Sequence, residues 1–304
     1  MKLSIIIVTY NSLNYLKACL TAIKNQTFKD YEIIVIDNNS IDGSLALIKK
    51  DYPEIKTLKN VRNLGLCRAN NQGIKLARGE YVLIMNPDVI LENSTLTELI
   101  KIAEIKPRAG AIGPKLLRLI NKQKSAIIDS SGLKVLPYYK IVERGAGEQD
   151  RGQYNKVEEV FGLTGACVLY KKEALEEIKE KEQYFDERFF VYKEDIDIMQ
   201  RLKKQGWQNW YVPTAVAYHQ RQARGDEKTS NWKTIKERRK RNRMINYYSY
   251  RNHLLFLNKH LGKGKILKKI FLIIPYEIGK FIYLLFFETR NIKGFFDFWK
   301  IKNK

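Results

Sequence analysis

Cysteine is scarce in this chain. Cys19, Cys67 and Cys167 are odd in number and widely spaced, and no two form a CxxC pair. That argues against a disulfide framework or a cysteine zinc site and suits a reducing compartment. Long apolar runs are missing too: no uninterrupted stretch reaches the roughly 20 residues that span a bilayer. The opening MKLSIIIVTYNS has too short an apolar run for a secretory leader and no small-residue cleavage site behind it, so it reads as a first strand. Acidic side chains are outnumbered, 33 against 55 basic, for a formal charge of +22. The excess is local: residues 221–269 carry 16 basic and 3 acidic side chains. Such a region is expected to meet an anionic surface, either lipid headgroups or nucleic acid. An apolar content of 44% over 304 residues excludes global disorder and allows one large domain or two smaller ones.

What is present in the first half is alternation of strand and helix signals. Leu3 to Val8, Glu32 to Ile36, Ile55 to Leu58 and Tyr81 to Met85 are short apolar runs of the kind that make strands buried on both faces. Between them, Leu16, Leu20 and Ile23 have helical spacing with Asn14 as a cap, a second helix is expected near Ser44 to Lys50, and a third closes at Gly73 to Ala77 with Gly79 as its stop. Ser94 is expected to cap a fourth helix that Pro107 ends. This order predicts a parallel sheet with right-handed crossovers. Ligands of such sheets sit beyond the carboxyl ends of the strands. Three polar clusters fall there: TYNS (9–12), DNNS (37–40) and NPD (86–88). Any one of them is explained by a turn; three on one rim point to a site. Residues 115–160 read as loop and short strands. Farther on, Ile196, Met199 and Leu202 share a helical face that Gly206 ends, which puts Glu194 and Asp195 in a first turn, where the helix dipole favours carboxylates.

The segments SIIIVTYNS, VIDNNSIDGS, RNLGLCRANNQG, YVLIMNPDV, GLTGACVLYKKEAL and FDERFFVYKEDIDIMQRLKKQGW, in this order, resemble the family 2 glycosyltransferases. The resemblance covers roughly residues 3–220, and RNHLLFLNKH (251–260) is similar to the rhamnosyltransferase-like subgroup that builds bacterial surface polysaccharides. It implies an α/β, GT-A nucleotide-diphospho-sugar transferase fold, Rossmann-like with a mostly parallel mixed sheet, occupying residues 1–220. It further implies an inverting, metal-dependent enzyme that moves a sugar from a nucleoside-diphosphate sugar to a glycan or lipid-linked acceptor.

By that resemblance Asp88 holds the divalent ion, Mn²⁺ or Mg²⁺, although Asn86 stands where the family's Asp-x-Asp signature begins. Thr9, Tyr10, Asn11 and Asp37 correspond to base and ribose contacts, Tyr10 as a stacking face or as an aromatic packed at the strand end. Asn63, Gly65 and Asn70 belong to a loop whose helix N-terminus approaches sugar or phosphate. Asp195 is the base that takes the acceptor's proton, with Glu194 and Asp197 expected to raise its pKa. His219 is either a late metal ligand or a structural histidine. Gly165, in GLTGA, lines the acceptor side with Glu194, or makes a simple turn.

The basic region, residues 221–304, is expected to form amphipathic helices lying in the headgroup plane of the cytoplasmic face of the membrane, because Pro275, Glu277 and Lys280 interrupt its apolar run. A helical pair packed on protein is the alternative. Nucleic acid is the less favoured partner, since no recognition motif accompanies the Arg-rich, Tyr-interleaved stretch. Two other functions were open: a nucleotidyltransferase, for which a Gly-rich triphosphate loop is lacking, and a non-catalytic nucleotide-sugar-binding or scaffold subunit.

Overall fold

The computed structural model describes residues 1–220, 243–261 and 269–302. They form two compact units. The first holds Met1–Leu133, Glu143–Phe190 and 194–220; the second holds Lys134–Val142, Val191–Lys193 and the described residues after 220.

Strands β1 (Leu3–Thr9), β2 (Tyr31–Asp37), β3 (Lys56–Lys59) and β4 (Tyr81–Met85) build the parallel part of the main sheet, in the order β4-β1-β2-β3. The apolar runs set this order. β1 and β4 are central and covered by helices on both faces, so Ile5, Ile6 and Ile7 are fully buried, each contributing roughly 1.5–3 kcal/mol. Helices α1 (Leu13–Lys24), α2 (Ser44–Asp51), α3 (Leu66–Leu76) and α4 (Thr95–Ile105) make the crossovers and flanks. α1 buries Leu16, Leu20 and Ile23, the stripe its spacing predicts, but its N-cap is Ser12 and Asn14 lies in the first turn. α3 ends before Gly79. That glycine is required for another reason: a Cβ there would lie 2.5 Å from the Ser4 amide nitrogen of β1.

Beyond β4 the sheet becomes mixed. After β5 (Val89–Leu91), the stretch expected to be loop and short strands contains β6 (Ala109–Ile120) and β7 (Gln123–Ser130), two long paired strands. β8 (Leu133–Val135) and β9 (Ile141–Glu143) form a separate hairpin, and β10 (Glu158–Val160), β11 (Cys167–Lys171) and β12 (Gln208–His219) complete the ten-stranded main sheet. β11 runs antiparallel between β4 and β6, and β12 pairs β6, β5 and β10. Helices α5 (Lys172–Glu177) and α6 (Glu194–Lys204) follow β11.

The second unit is helical. α7 (Arg243–His260) packs against α9 (Lys293–Ile301): a Cβ added at Gly294 would lie 3.4 Å from Tyr247 O, and the Tyr247 hydroxyl donates to Asp297 at 2.7 Å. Between them a π-helical turn, Lys269–Ile273, leads into α8 (Ile274–Phe287). Most of the basic stretch from 221 to 242, and 262 to 268, lies outside the described residues.

Candidate functional site

The carboxyl ends of β1, β2 and β4 fall on one edge of the sheet, because Thr9 pairs with Asp37 and Ile7 with Met85 in register. All three polar clusters follow these ends. Asp37 is fully buried; the Thr9 hydroxyl donates to its Oδ1 at 3.0 Å and the Ser40 amide to its Oδ2 at 3.1 Å. Asn11, in left-handed backbone at φ 51°, accepts the Ile41 amide at 3.0 Å and ties the first cluster to the second. Tyr10 between them is 51% exposed, so its ring is a face open to a ligand and not a packed end of the strand.

The Asn63–Gly65 turn joins the same edge. Asn63 Oδ1 accepts the Gly65 amide at 2.9 Å, and Gly65 O accepts from Asn38 Nδ2 at 3.2 Å. Gly65 has φ 86°, and a Cβ would sit 2.4 Å from the Phe190 ring. The start of α3 differs from expectation: the Leu66 and Cys67 amides both donate to Phe190 O, at 2.7 and 3.2 Å. Those two donors are therefore engaged by the chain itself. Asn70, deeper on α3, is buried, and its Oδ1 has no hydrogen-bond partner.

Asn86-Pro87-Asp88 is a turn and something more. Val89 N donates to Asn86 O at 3.2 Å, closing it. The turn presents the Asp88 carboxylate inward, where Oδ1 is buried without a hydrogen bond. Leaving a buried acceptor unmade costs on the order of 1–3 kcal/mol, and more for a charge. His219 ends β12, which pairs β5, and its Nε2 lies 3.5 Å from that oxygen. Its Nδ1 meets Asp129 Oδ2 of β7 at 2.8 Å, and Arg118 Nε of β6 stands 3.5 Å from Asp129 Oδ1. Burial works against a charged His219 ring, yet its hydrogen bond to Asp129 and the Asp88 carboxylate facing it outweigh it and push the pKa up to about 9. Asp129 and Arg118 escape sequence reading, since their partners lie far away along the chain.

Asp195 sits half-buried in the first turn of α6. Its Oδ2 accepts the Gly165 amide at 3.1 Å and its Oδ1 the Ile196 amide at 2.8 Å. Gly165 is packed so closely that an added Cβ would be 3.1 Å from Asp195 Cβ. The next residue, Ala166, accepts the Asn86 amide at 2.9 Å, so Asp195 and Asp88 are joined through Gly165, Ala166 and Asn86. Glu194 is buried beside them; burial raises the Cys67 thiol pKa, and Glu194 is the carboxylate that adds most to that rise. Asp197 pairs with Arg201 Nε at 2.9 Å, fully buried.

One point of this rim has residues that could hold a divalent ion. An orphaned carboxylate oxygen and an imidazole nitrogen converge on it, a donor pair suited to Mn²⁺ or Mg²⁺. No group of three or more His, Cys, Asp or Glu side chains poised for a metal occurs among the described residues, so further ligands would have to come from a bound phosphate or water.

Residues 4–179 match the family model described as glycosyl transferase family 2, and residues 145–288 match glycosyl transferase family group 2. The chain is 30% identical over 250 residues to the N-acetylglucosaminyl-diphospho-decaprenol L-rhamnosyltransferase of Mycobacterium tuberculosis (strain ATCC 25618 / H37Rv), covering 75% of this chain and 80% of that protein. Among solved structures it is similar to GalNAc-T7 with UDP, GalNAc and Mn²⁺, at a TM-score of 0.62 and 17% identity, covering 92% of this chain and 57% of that one. It is also similar to the mannosyltransferase PcManGT from Pyrobaculum calidifontis in complex with GDP-Man and Mn²⁺, at 0.57 and 17% identity, covering 85% of this chain and 63% of that one. The chain thus spans less than two thirds of either solved chain, and the likeness to them is one of fold.

Proposed function

The chain belongs to glycosyl transferase family 2, in its rhamnosyltransferase-like branch, and from that premise we propose how its rim transfers a sugar. The donor is a nucleoside-diphosphate sugar, with rhamnose the favoured sugar, and the acceptor is a lipid-linked glycan in cell-surface polysaccharide synthesis. Tyr10 offers its exposed ring to the base. Thr9, Asn11 and Asp37 shape the base and ribose pocket, Asp37 with the lone pairs that Thr9 and Ser40 leave unused. Asn63, Gly65, Asn70 and Asn86 line the sugar and ribose side.

Asp88 and His219 would hold Mn²⁺ or Mg²⁺ together with the donor's phosphate oxygens. The ion, when bound, would offset the charge that develops on the departing diphosphate. Asp195 accepts the proton of the acceptor hydroxyl. The acceptor oxygen attacks the anomeric carbon from the face opposite the diphosphate, whose bond breaks with its electron pair, and the configuration inverts. The Gly165 and Ile196 amides hold the two Asp195 oxygens in place, and Gly165 and Glu194 border the acceptor. In this reading residues 1–220 are the catalytic domain, and residues 221–304 attach the protein peripherally to the cytoplasmic face of the membrane.

One observation carries the proposal: the orphaned Asp88 oxygen, beside His219, is linked by three residues of backbone contact to the Asp195 carboxylate. Kinetics separate the roles. Asp195→Asn is expected to lower turnover about 10²–10⁴-fold with donor affinity nearly unchanged. Asp88→Ala is expected to weaken nucleotide binding only when Mn²⁺ is present. Normal turnover in Asp195→Asn overturns the base. Binding without donor turnover in the wild type, across acceptors, would make the chain a scaffold.

A further inference from the structure

Helix α8 is built inside out. Phe271 in the preceding turn, then Ile274, Ile278, Ile282, Leu285 and Phe286 are all exposed, Phe286 to 74% and Phe271 to 71%. At 100° per residue the five on α8 fall within an arc of about 120°, the width of an apolar stripe that ordinarily faces a core, and Leu272 and Phe287 are exposed outside it. The opposite side holds the polar groups. Glu277 turns inward to His253 Nε2 of α7 at 2.8 Å and to Lys280 at 3.2 Å, alongside buried Ile273 and Leu284. A stripe of this size left to water is costly, at about 25 cal/mol per Å² of apolar surface, and contiguous exposed patches mark interaction sites.

The charges of the unit indicate what covers it. Its carboxylates are drawn inward: Glu288 accepts from the Tyr283 hydroxyl at 3.0 Å and from Asn291 at 2.7 Å, and Asp297 accepts from Tyr247. Arg290, Lys293 and Lys300 remain exposed. The ring of Phe281 meets that of Phe295 at 5.0 Å, which links α8 to the exposed Phe296 and Trp299 of α9. Lys302 Nζ lies 3.6 Å from the Trp299 ring centroid. Aromatics flanked by lysines belong at a headgroup boundary. At 14 residues, α8 is about 21 Å long, and no described helix is long and apolar enough to cross a membrane. The strong positive charge of residues 221–269 opposes pairing of two copies through this region.

We infer that the Phe271–Ile278–Ile282–Phe286 stripe of α8 lies in the plane of a bilayer bearing anionic headgroups, its apolar side chains in the acyl boundary and the flanking Arg and Lys side chains on phosphate. This rests on the membrane location proposed above and is independent of the donor chemistry. The test is co-sedimentation of the full chain with phosphatidylcholine vesicles, with and without phosphatidylglycerol. The wild type is expected to bind the anionic vesicles and to be released by salt. Ile278→Ser/Ile282→Ser/Phe286→Ser is expected to lose at least about tenfold in partitioning with its melting temperature unchanged, because these side chains are exposed. Its turnover on a short water-soluble acceptor should stay within twofold. Equal vesicle binding by wild type and variant overturns the inference. A large fall in melting temperature does so too, as it would show the stripe packed on protein. So does a wild-type dimer that the variant dissolves, which would make the face an interface between copies. Absence of donor turnover in the wild type, with vesicle binding that the triple variant loses, counts against the catalytic reading and leaves this one standing.

Discussion

The two units bury opposite things. In the first, the apolar side chains of β1, β2 and β4 vanish into the sheet and the polar residues gather along one edge. In the second, α8 turns isoleucine and phenylalanine outward and folds Glu277, His253 and Glu288 in. Their buried histidines show what this does electrostatically. His219 is pushed up to about 9 because, against its burial, two aspartates face it. His253 is pushed down to about 4 by burial and by the nearby charge of Lys280, against the pull of Glu277. In the first unit two buried aspartates face one histidine, with Arg118 beside the farther of them. The second keeps its buried histidine neutral, although Arg251 is buried in the same unit.

The comparison can be broken most sharply at Arg201. Arg201→Met would remove the buried cation that pairs with Asp197 and the donor to the Ile178 and Tyr184 carbonyls, at an expected loss of about 3–5 kcal/mol in urea unfolding. An effect below 1 kcal/mol would mean that the pair is not what neutralises Asp197. Asp129→Asn sharpens the rim: by disturbing the ring orientation of His219 it should weaken Mn²⁺ binding about 10–100-fold, read by the paramagnetic signal of free Mn²⁺ in the presence of nucleoside diphosphate. Unchanged Mn²⁺ affinity would remove His219 and Asp129 from the metal's surroundings. The smallest effect is expected from acid on the second unit. His253 is neutral when folded and has a folded pKa below its unfolded value of about 6.5, so the unfolded chain binds more protons as pH falls between them. Stability is full above about 6.5 and declines as pH drops toward 4, by about 1.4 kcal/mol at pH 5.5. His253→Gln should flatten that slope in melts between pH 7.5 and 5.5; an unaltered slope would place its origin elsewhere.

Much of the first unit was legible in the chain. Continuous apolar runs betray strands covered on both faces, and the polar residues that end them betray the rim. β6 was hidden because AGAIGPKLLRLI mixes glycine, proline and lysine into a buried strand, and only the fold supplies the partners, Asp150 and Asn155, that Lys115 needs there. Asp129 reads locally as a turn residue in IIDSSG, and nothing near it announces a histidine 90 positions on. Arg201, by contrast, was in view at i+4 from Asp197, a spacing that pairs charges on a helix. Of the second unit, the amphipathic character was readable, but not which side of α8 would face water, since periodicity fixes a stripe and not its direction.

Phe190 deserves a last consequence. Its carbonyl clasps the first two amides of α3, its own backbone sits at φ 64°, and its ring fills the space a side chain at position 65 would need. The Asn63–Gly65 turn and the stretch that leads to Asp195 are thus buckled together by a single residue. A methyl group added at Gly65 would have to lift the ring, and the buckle with it, so a change in that turn would reach the segment leading to Asp195 without any change to Asp195 itself.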